Sequence, residues 1–417
     1  MAGILGAVTS MISAAAGSLI SKLGVGCTNI PDAKPSFEIS LDDKAFVFSS
    51  EASMLTDVVV DYTVFDSKAG ACIITVKNPT MENKETKIRV TKDFNIPVGA
   101  KIVLSMGYNG TNAPIFTGFV IKVETSVERG IVETHTNQIS VLKLTCVDPK
   151  WFLMSNKKTD DHSKCKTYSA VVKEVLGDSC YAQKFALGKV DIKGEPQASA
   201  FFDKVACQDN ETDFDFLKRL AEETGSLFYA DEGGILHFTS LNSTKAPKGI
   251  IKKLTQEQAM EASYEIGRYD IPTSVMVVGM DPKNMTKIIK NKIKDSTPIG
   301  SGKDSDSSTK NTLKTSGYLL RLGFPVTKKY VEFRAKAIMD LKEIHFIKAK
   351  VKLKGTPGFQ LRQQISIGGG GIATIPANKY LISGITHEFH AQPRSEFITT
   401  LTLSATRSKA VETSKKL

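Results

Sequence analysis

The sequence predicts a mainly β protein with an α/β middle, in which two antiparallel β-barrel domains flank a helix-hairpin region. Three observations predict it. Segments rich in β-branched and aromatic residues dominate the two outer blocks, and short clusters of Gly, Asn, Asp and Pro punctuate them. Between the blocks, apolar residues recur at the three- and four-residue steps of a helix face. Long strands with short turns indicate antiparallel sheets, and each block is expected to close on itself.

The chain has 417 residues, of which 41% are hydrophobic and 24% charged. That is enough for roughly two to three packed domains, and it excludes a disordered chain, a collagen-like repeat and a disulfide-dense mini-scaffold. Lys+Arg 55 against Asp+Glu 44 leaves +11, a surplus that suits nucleic acid, anionic lipid or an acidic protein partner. The six cysteines (Cys27, Cys72, Cys146, Cys165, Cys180 and Cys207) have no CxxC spacing and read as free thiols, most of them buried.

In order along the chain, residues 1–35 read as an N-terminal hydrophobic helix and linker. Leu5, Val8, Ile12, Ala15 and Leu19 form one apolar stripe, and no charge precedes Lys22. A helix docked on a partner or on the rest of the chain is the first reading. A disordered arm and a signal peptide or membrane contact are the others. Residues 36–155 are the first expected barrel, with strands at Asp57–Phe65, Ala71–Val76, Lys101–Met106, Pro114–Val127 and Gln138–Val147. The α/β middle covers 156–261. Ser169 is expected to cap a short helix that buries Val171, Val172, Val175 and Leu176 and stops at Gly177. A second helix at 212–224 starts at Thr212, which with Asp215 resembles a capping box. It buries Phe214, Leu217, Leu220 and Ala221 and ends at Gly225. A hairpin turning at Asp231-Glu232-Gly233-Gly234 follows.

Residues 262–405 are the second expected barrel, with strands at Ala262–Arg268, Ser274–Gly279, Phe346–Lys354, Gln364–Ile367, Tyr380–Phe389 and Phe397–Ser404. A helix at 328–342 carries Val331, Ala335, Ile338 and Met339 on one face. Eight lysines and few aliphatic residues mark 281–316 as a mobile basic insertion, and 406–417 is a tail. No internal repeat shows at the residue level.

No residue stands out as catalytic, cofactor-binding or metal-ligating, and no cofactor is expected. Gly368-Gly369-Gly370-Gly371 lacks the Lys and Ser/Thr of a phosphate loop. His387 and His390 sit three apart in a strand-like segment, where their side chains diverge. Asp160-Asp161 reads as a solvated polar loop, and Asp209, Glu211, Asp213 and Asp215 read as acidic residues favoured at a helix start.

The segment Gln208–Tyr229 carries a resemblance. Gln208, Glu211, Asp213, Phe216, Arg219-Leu220, Glu222-Glu223, Gly225 and Phe228 resemble the helix-hairpin signature of contractile-injection hubs: the phage baseplate hub, or late control protein D, and the N-terminal hub part of VgrG. Phe116–Val120, Leu142–Asp148, Trp151–Leu153, Arg362–Ile367, Tyr380–His387 and Phe397–Leu403 resemble flanking strands of that family. The resemblance implies a homotrimeric structural hub of a phage tail baseplate or contractile injection system, adapting a sixfold tail tube to a threefold central spike. Implied partners are further copies of itself, a hexameric ring of tail tube protein, a separate trimeric spike protein and other baseplate proteins, with the tape-measure protein a candidate. No small-molecule substrate is implied. The implied location is the virion or particle baseplate, assembled in the bacterial cytoplasm. Two other classes compete. A basic nucleic-acid- or polysaccharide-binding module draws on the charge, and a wall hydrolase would need a carboxylate pair that the sequence does not present.

Overall fold

The computed structural model describes residues 34–42, 44–48, 54–63, 69–77, 80–83, 86–89, 96–132, 135–162, 164–181, 184–196, 207–241, 253–267, 271–284, 288–293, 317–367, 372, 375, 378–390 and 395–406. The expected N-terminal helix, the tetraglycine and the tail beyond Thr406 lie outside them.

The first block contains β1 (Pro35–Leu41), β2 (Lys44–Phe48), β3 (Met54–Thr63), β4 (Ala71–Lys77), β5 (Thr80–Asn83), β6 (Thr86–Arg89), β7 (Lys101–Tyr108), β8 (Thr111–Val132) and β9 (His135–Val147). All pairings within it are antiparallel. β7 and β8 form a hairpin across Asn109-Gly110, both with positive φ, as a two-residue turn between right-twisted strands requires. The middle holds α1 (Lys150–Leu153), β10 (Lys157–Asp161), α2 (Tyr168–Leu176), β11 (Ala186–Asp191), β12 (Cys207–Thr212), α3 (Asp213–Thr224), β13 (Ser226–Ala230) and β14 (Ile235–Ser240). The remainder holds β15 (Lys253–Leu254), β16 (Ala259–Ile266), β17 (Ser274–Met280), β18 (Ile288–Ile293), β19 (Gly317–Pro325), α4 (Lys328–Glu343), β20 (Ile347–Lys354), β21 (Gln364–Ile367), β22 (Asn378–His390) and β23 (Glu396–Ala405).

The expected pair of barrels does not form. β3 and β22, the edges that closure within each block would have to use, pair with each other from Gly384↔Thr63 to His390↔Asp57. A strand has only two edges, and β4 and β23 occupy the others. The blocks therefore merge into one open 15-stranded sheet whose main path runs from β16 to β6. Val58, Val60, Ile385 and Phe389 are buried along this seam, so it continues the core rather than interrupting it.

On either side of the seam the strands repeat one plan. The first array runs β3-β4-β9-β8 in space and the second runs β16-β20-β23-β22. In each, the fourth strand in sequence lies between the second and the third. In each, the N-terminal part of the third strand also pairs with the strand before it, β8 with β7 and β22 with β21. The irregularities coincide as well. The first pair of each array shifts register between Leu55/Asp57 and between Ala259/Glu261. The last pair shifts between Val120/Lys122 and between Ile382/Gly384.

The middle has its own core. Val171, Val172, Phe216, Leu217, Leu220, Phe238 and Met339 pack together with Val275 and Val277 of β17. Of the 281–316 segment, expected to be a mobile insertion, 285–287 and 294–316 lie outside the described residues, and 288–293 form a strand. Ile288–Ile293 pairs with β17, and Ile289 and Ile293 pack against this core. Its lysines masked a period-two pattern, with Lys290 and Lys292 falling between the apolar positions.

Candidate functional site

The residues of the hub-like signature meet at the N-terminal end of α3. Thr212 caps the helix: its Oγ1 accepts from the Asp215 amide at 3.0 Å and donates to Asp215 Oδ2 at 2.7 Å. This is one half of a capping box, because the Asp215 side chain returns to the hydroxyl rather than to the Thr212 amide. Asp213, 1% exposed, is more than a favourable charge at a helix start. Its Oδ2 accepts from Lys158 Nζ at 2.9 Å and from Tyr181 Oη, and its Oδ1 accepts from Gln208 Nε2 at 3.0 Å. Burial pulls the Lys158 ammonium down, but Asp213 and Asp178 outweigh it and hold it above its ordinary range.

Arg219 ties the next turn to β12. Its Nε donates to Glu211 Oε1 at 3.2 Å, its Nη2 donates to the Cys207 carbonyl at 2.8 Å, and its guanidinium lies over the Phe216 ring. It also lies 3.6 Å from Glu223. Burial raises the Glu223 carboxyl, with Arg334 and Arg219 opposing the shift. Glu223 accepts from Tyr168 Oη, which meets Tyr330 Oη of α4 at 3.2 Å. Gly225 ends the helix at φ 65°, and a Cβ there would stand 2.9 Å from Ala337 Cα. The glycine thus serves both the left-handed stop and the close approach of α3 to α4. Thr167, not Ser169, caps α2, accepting from the Ala170 amide. Ser169 instead donates to Glu195 at 2.7 Å.

Beside this network lies a polar cleft of about 300 Å³, lined among others by Lys158, Asp160, His162, Glu174, Gln208 and Asp213. Asp160-Asp161 is in strand β10 rather than a loop, and both residues are exposed. His162 Nδ1 lies 3.1 Å from Glu174 Oε1, and Cys165 Sγ donates to Glu174 Oε2 at 2.6 Å. Burial and then Glu174 push the Cys165 thiol up to about 11, away from the thiolate that a nucleophile needs. Asp213 is held by three donors, Lys158, Tyr181 and Gln208. Among the described residues, no group of three or more His, Cys, Asp and Glu side chains is placed to hold a metal. The signature is a packing and hydrogen-bonding device, and the cleft is its outer wall.

His387 is 1% exposed, meets Thr399 Oγ1 at 3.0 Å and is lowered by burial to about 4. His390 faces solvent more and lies 3.9 Å from Glu388. The two do not share a site. The described cysteines are all free.

Surface chemistry of a different kind lies on the sheet. Met260 and Ile266 of β16 are 52% and 42% exposed, and Val59 and Ile73 next to the seam are each 36% exposed. The sequence reading missed these positions. Among the described residues β16 is the last strand of the sheet, which no local pattern announces.

Two solved structures of similar fold are described as tail proteins. The 43 kDa tail protein of prophage MuSo2 from Shewanella oneidensis is 13% identical with a TM-score of 0.58, covering 88% of this chain and 98% of that one. The tail protein from Neisseria meningitidis MC58 is 11% identical with a TM-score of 0.58, covering 89% and 96%. The comparison with curated proteins returned no match. Residues 49–391, which contain the first four-stranded array, the helical middle and the second array apart from β23, match the model of the family described as the Alg8 N-terminal domain, and the chain belongs to that family.

Proposed function

We propose that the protein is a structural, non-catalytic hub of a phage tail baseplate or a related contractile injection device. In this reading it is a homotrimer that receives a hexameric ring of tail tube protein on one side and a separate trimeric spike on the other. Other baseplate proteins surround it, and it resides in the particle. The observation that carries the reading is the full-length fold likeness to two tail proteins. The repeated array plan supports it: two like units in each of three chains make six, the number a hexameric ring needs. The internal character of the Gln208–Tyr229 network agrees, since its polar groups are consumed in holding α3, β12 and α4 together. The alternative of a basic binding module gains nothing from the lysine ladder of β20. Lys348 and Lys352 face Glu265 and Glu261 on the neighbouring strand.

Sedimentation of the full chain, alone and mixed with the tube and spike proteins encoded beside it, tests the reading. A species of three times the 45.4 kDa chain mass, or trimer formation on adding the spike protein, is the expected result. A monomer under all conditions would overturn it.

A further inference from the structure

We propose that the edge of β16 that no described strand covers pairs, in the assembled protein, antiparallel with the likewise uncovered edge of the C-terminal half of β8 in the next copy. The β22–β3 seam within each chain would thereby be repeated between chains. The inference rests on the hub reading above and names the surface through which its copies meet.

The argument starts from the two arrays. Their shared strand order and coincident register shifts set up a residue correspondence. Through the β22 and β8 shifts, Ile385 corresponds to Val123, Thr386 to Glu124, His387 to Thr125 and Glu388 to Ser126. Through the β3 and β16 shifts, Val59 corresponds to Ser263, Val60 to Tyr264, Asp61 to Glu265 and Tyr62 to Ile266. Inside the chain, the first strand of the first array pairs with the third strand of the second array. The edges left over are the third strand of the first array, β8, and the first strand of the second, β16. Among the described residues, these are the same two kinds of edge, one from each array. Two different complementary surfaces on one chain make a head-to-tail interface, which closes into a ring when the rotation permits.

Burial follows the same correspondence. In the seam, Val58, Val60, Ile385, His387 and Phe389 are all at most 4% exposed. At the two uncovered edges, Val123 and Tyr264, the counterparts of Ile385 and Val60, are only half-buried and Thr125, the counterpart of His387, is exposed; on the same strand as Tyr264, Ile266 is 42% and Met260 52% exposed. A strand edge of this length with apolar residues at its rim is a pairing surface, and a chain that stayed single would blunt it. Transferring the seam register places Val123 opposite Ile266, Thr125 opposite Tyr264 and Ser126 opposite Ser263 of the next copy.

Cysteine cross-linking tests this in the full-length chain. Ser126 and Ser263 are both exposed, so Ser126→Cys and Ser263→Cys leave the core untouched. When chains carrying only one of the two cysteines each are mixed, a disulfide between them must join two copies. Thr125→Cys with Tyr264→Cys samples the neighbouring pair, whose hydrogen-bonding class differs. Under mild copper-phenanthroline oxidation, mixed Ser126→Cys and Ser263→Cys chains are expected to give a covalent dimer, and neither alone should do so. The double variant should give a ladder that ends at the closed ring. Self-cross-linking of Ser126→Cys alone would indicate a twofold contact and overturn the proposal. An oligomer by sedimentation that yields no cross-link with either pair would overturn the edge pairing and leave the hub reading standing. A chain that stays monomeric beside its tube and spike neighbours would overturn both.

Discussion

The array β3-β4-β9-β8 and the array β16-β20-β23-β22 share strand order and the places where register shifts, yet hardly share side chains. At one central buried position of the first array Cys72 faces Cys146, whereas Ala349 faces Leu403 in the second. On the outer face the first array carries Ile73 and Thr75 where the second carries Lys350 and Lys352. What persists is the backbone plan and the alternation of buried and exposed positions. What drifts is volume within the core and charge outside it. A β array is specified by which face each residue takes and where the bulges reset the register, and many side-chain sets satisfy that.

The largest expected effect separates the covered edge from the open one. Ile385 and Val123 occupy equivalent positions, but Ile385 is 1% exposed inside the seam and Val123 is half-buried at the rim. Ile385→Ala should cost ~2–5 kcal/mol in chemical denaturation of the dissociated chain. Val123→Ala should cost well under half as much there and should weaken association instead. Equal losses in the dissociated chain would mean that the β8 edge is already covered by the chain itself.

Acid should distinguish the arrays next. His387 lies in the seam and is lowered by burial to about 4, while its counterpart in the first array, Thr125, does not titrate. Between the ordinary histidine range near 6.5 and a folded value near 4, the unfolded chain binds the proton and the folded chain does not. The stability conferred by neutral, buried His387 is therefore complete above about 6.5 and declines as the pH falls toward 4, by about 3 kcal/mol at most. His387→Gln should flatten this decline in a denaturation series from pH 7 to 4.5. An unchanged slope would place the acid sensitivity elsewhere.

A core transplant asks whether the correspondence extends to volume. Cys146→Leu alone overfills a site that is already fully buried and should cost ~1–3 kcal/mol. Adding Cys72→Ala reproduces the Ala349/Leu403 pair and should return most of that loss, leaving less than about 1.5 kcal/mol. Losses that simply add in denaturant midpoints would show that the two cores do not superpose at this layer.

Much of the local structure was legible in the sequence. Alternating β-branched residues located β4 and β9, and Thr212, Phe214, Leu217, Leu220 and Gly225 located α3 with its cap and stop. Errors began where neighbours in space are distant in sequence. Thr167 rather than Ser169 caps α2 because Glu195 engages the Ser169 amide and hydroxyl. The barrels failed because β3 and β22, more than 300 residues apart, use their last free edges on each other, and neither strand carries a local mark of its partner. The repeated array plan was hidden because it shows in strand order and register shifts rather than in residue identity. Of the candidate site, the sequence showed that Gln208, Glu211, Asp213 and Arg219 belong together. It did not show that Lys158 and Tyr181 complete the set around Asp213.

The smallest expected effect tests the register between copies. In the internal seam, Thr386 Oγ1 donates to Asp61 Oδ1 at 3.0 Å across the strands. The equivalent positions between copies are Glu124 and Glu265, so the transferred register sets two carboxylates opposite each other. Lys122, 2.8 Å from Glu124 in an exposed pair, offsets part of this, and its hydrogen bond lowers the Glu124 carboxyl. Like charges directly opposite on adjacent strands still oppose pairing. Glu124→Thr would rebuild the Thr–carboxylate contact of the seam and free the Lys122 ammonium to meet Glu265. Association measured by sedimentation at low salt should tighten by roughly two- to fivefold. The gain should shrink as added salt screens exposed charges, and the stability of the dissociated chain should not change. A one-residue slip would move Glu265 off this face and leave Glu124 without an opposing carboxylate. Under such a slip the substitution would only remove the Lys122 pair and association would not strengthen. Tighter association that fades with salt therefore supports the seam register specifically, and an unchanged or weaker one counts against it.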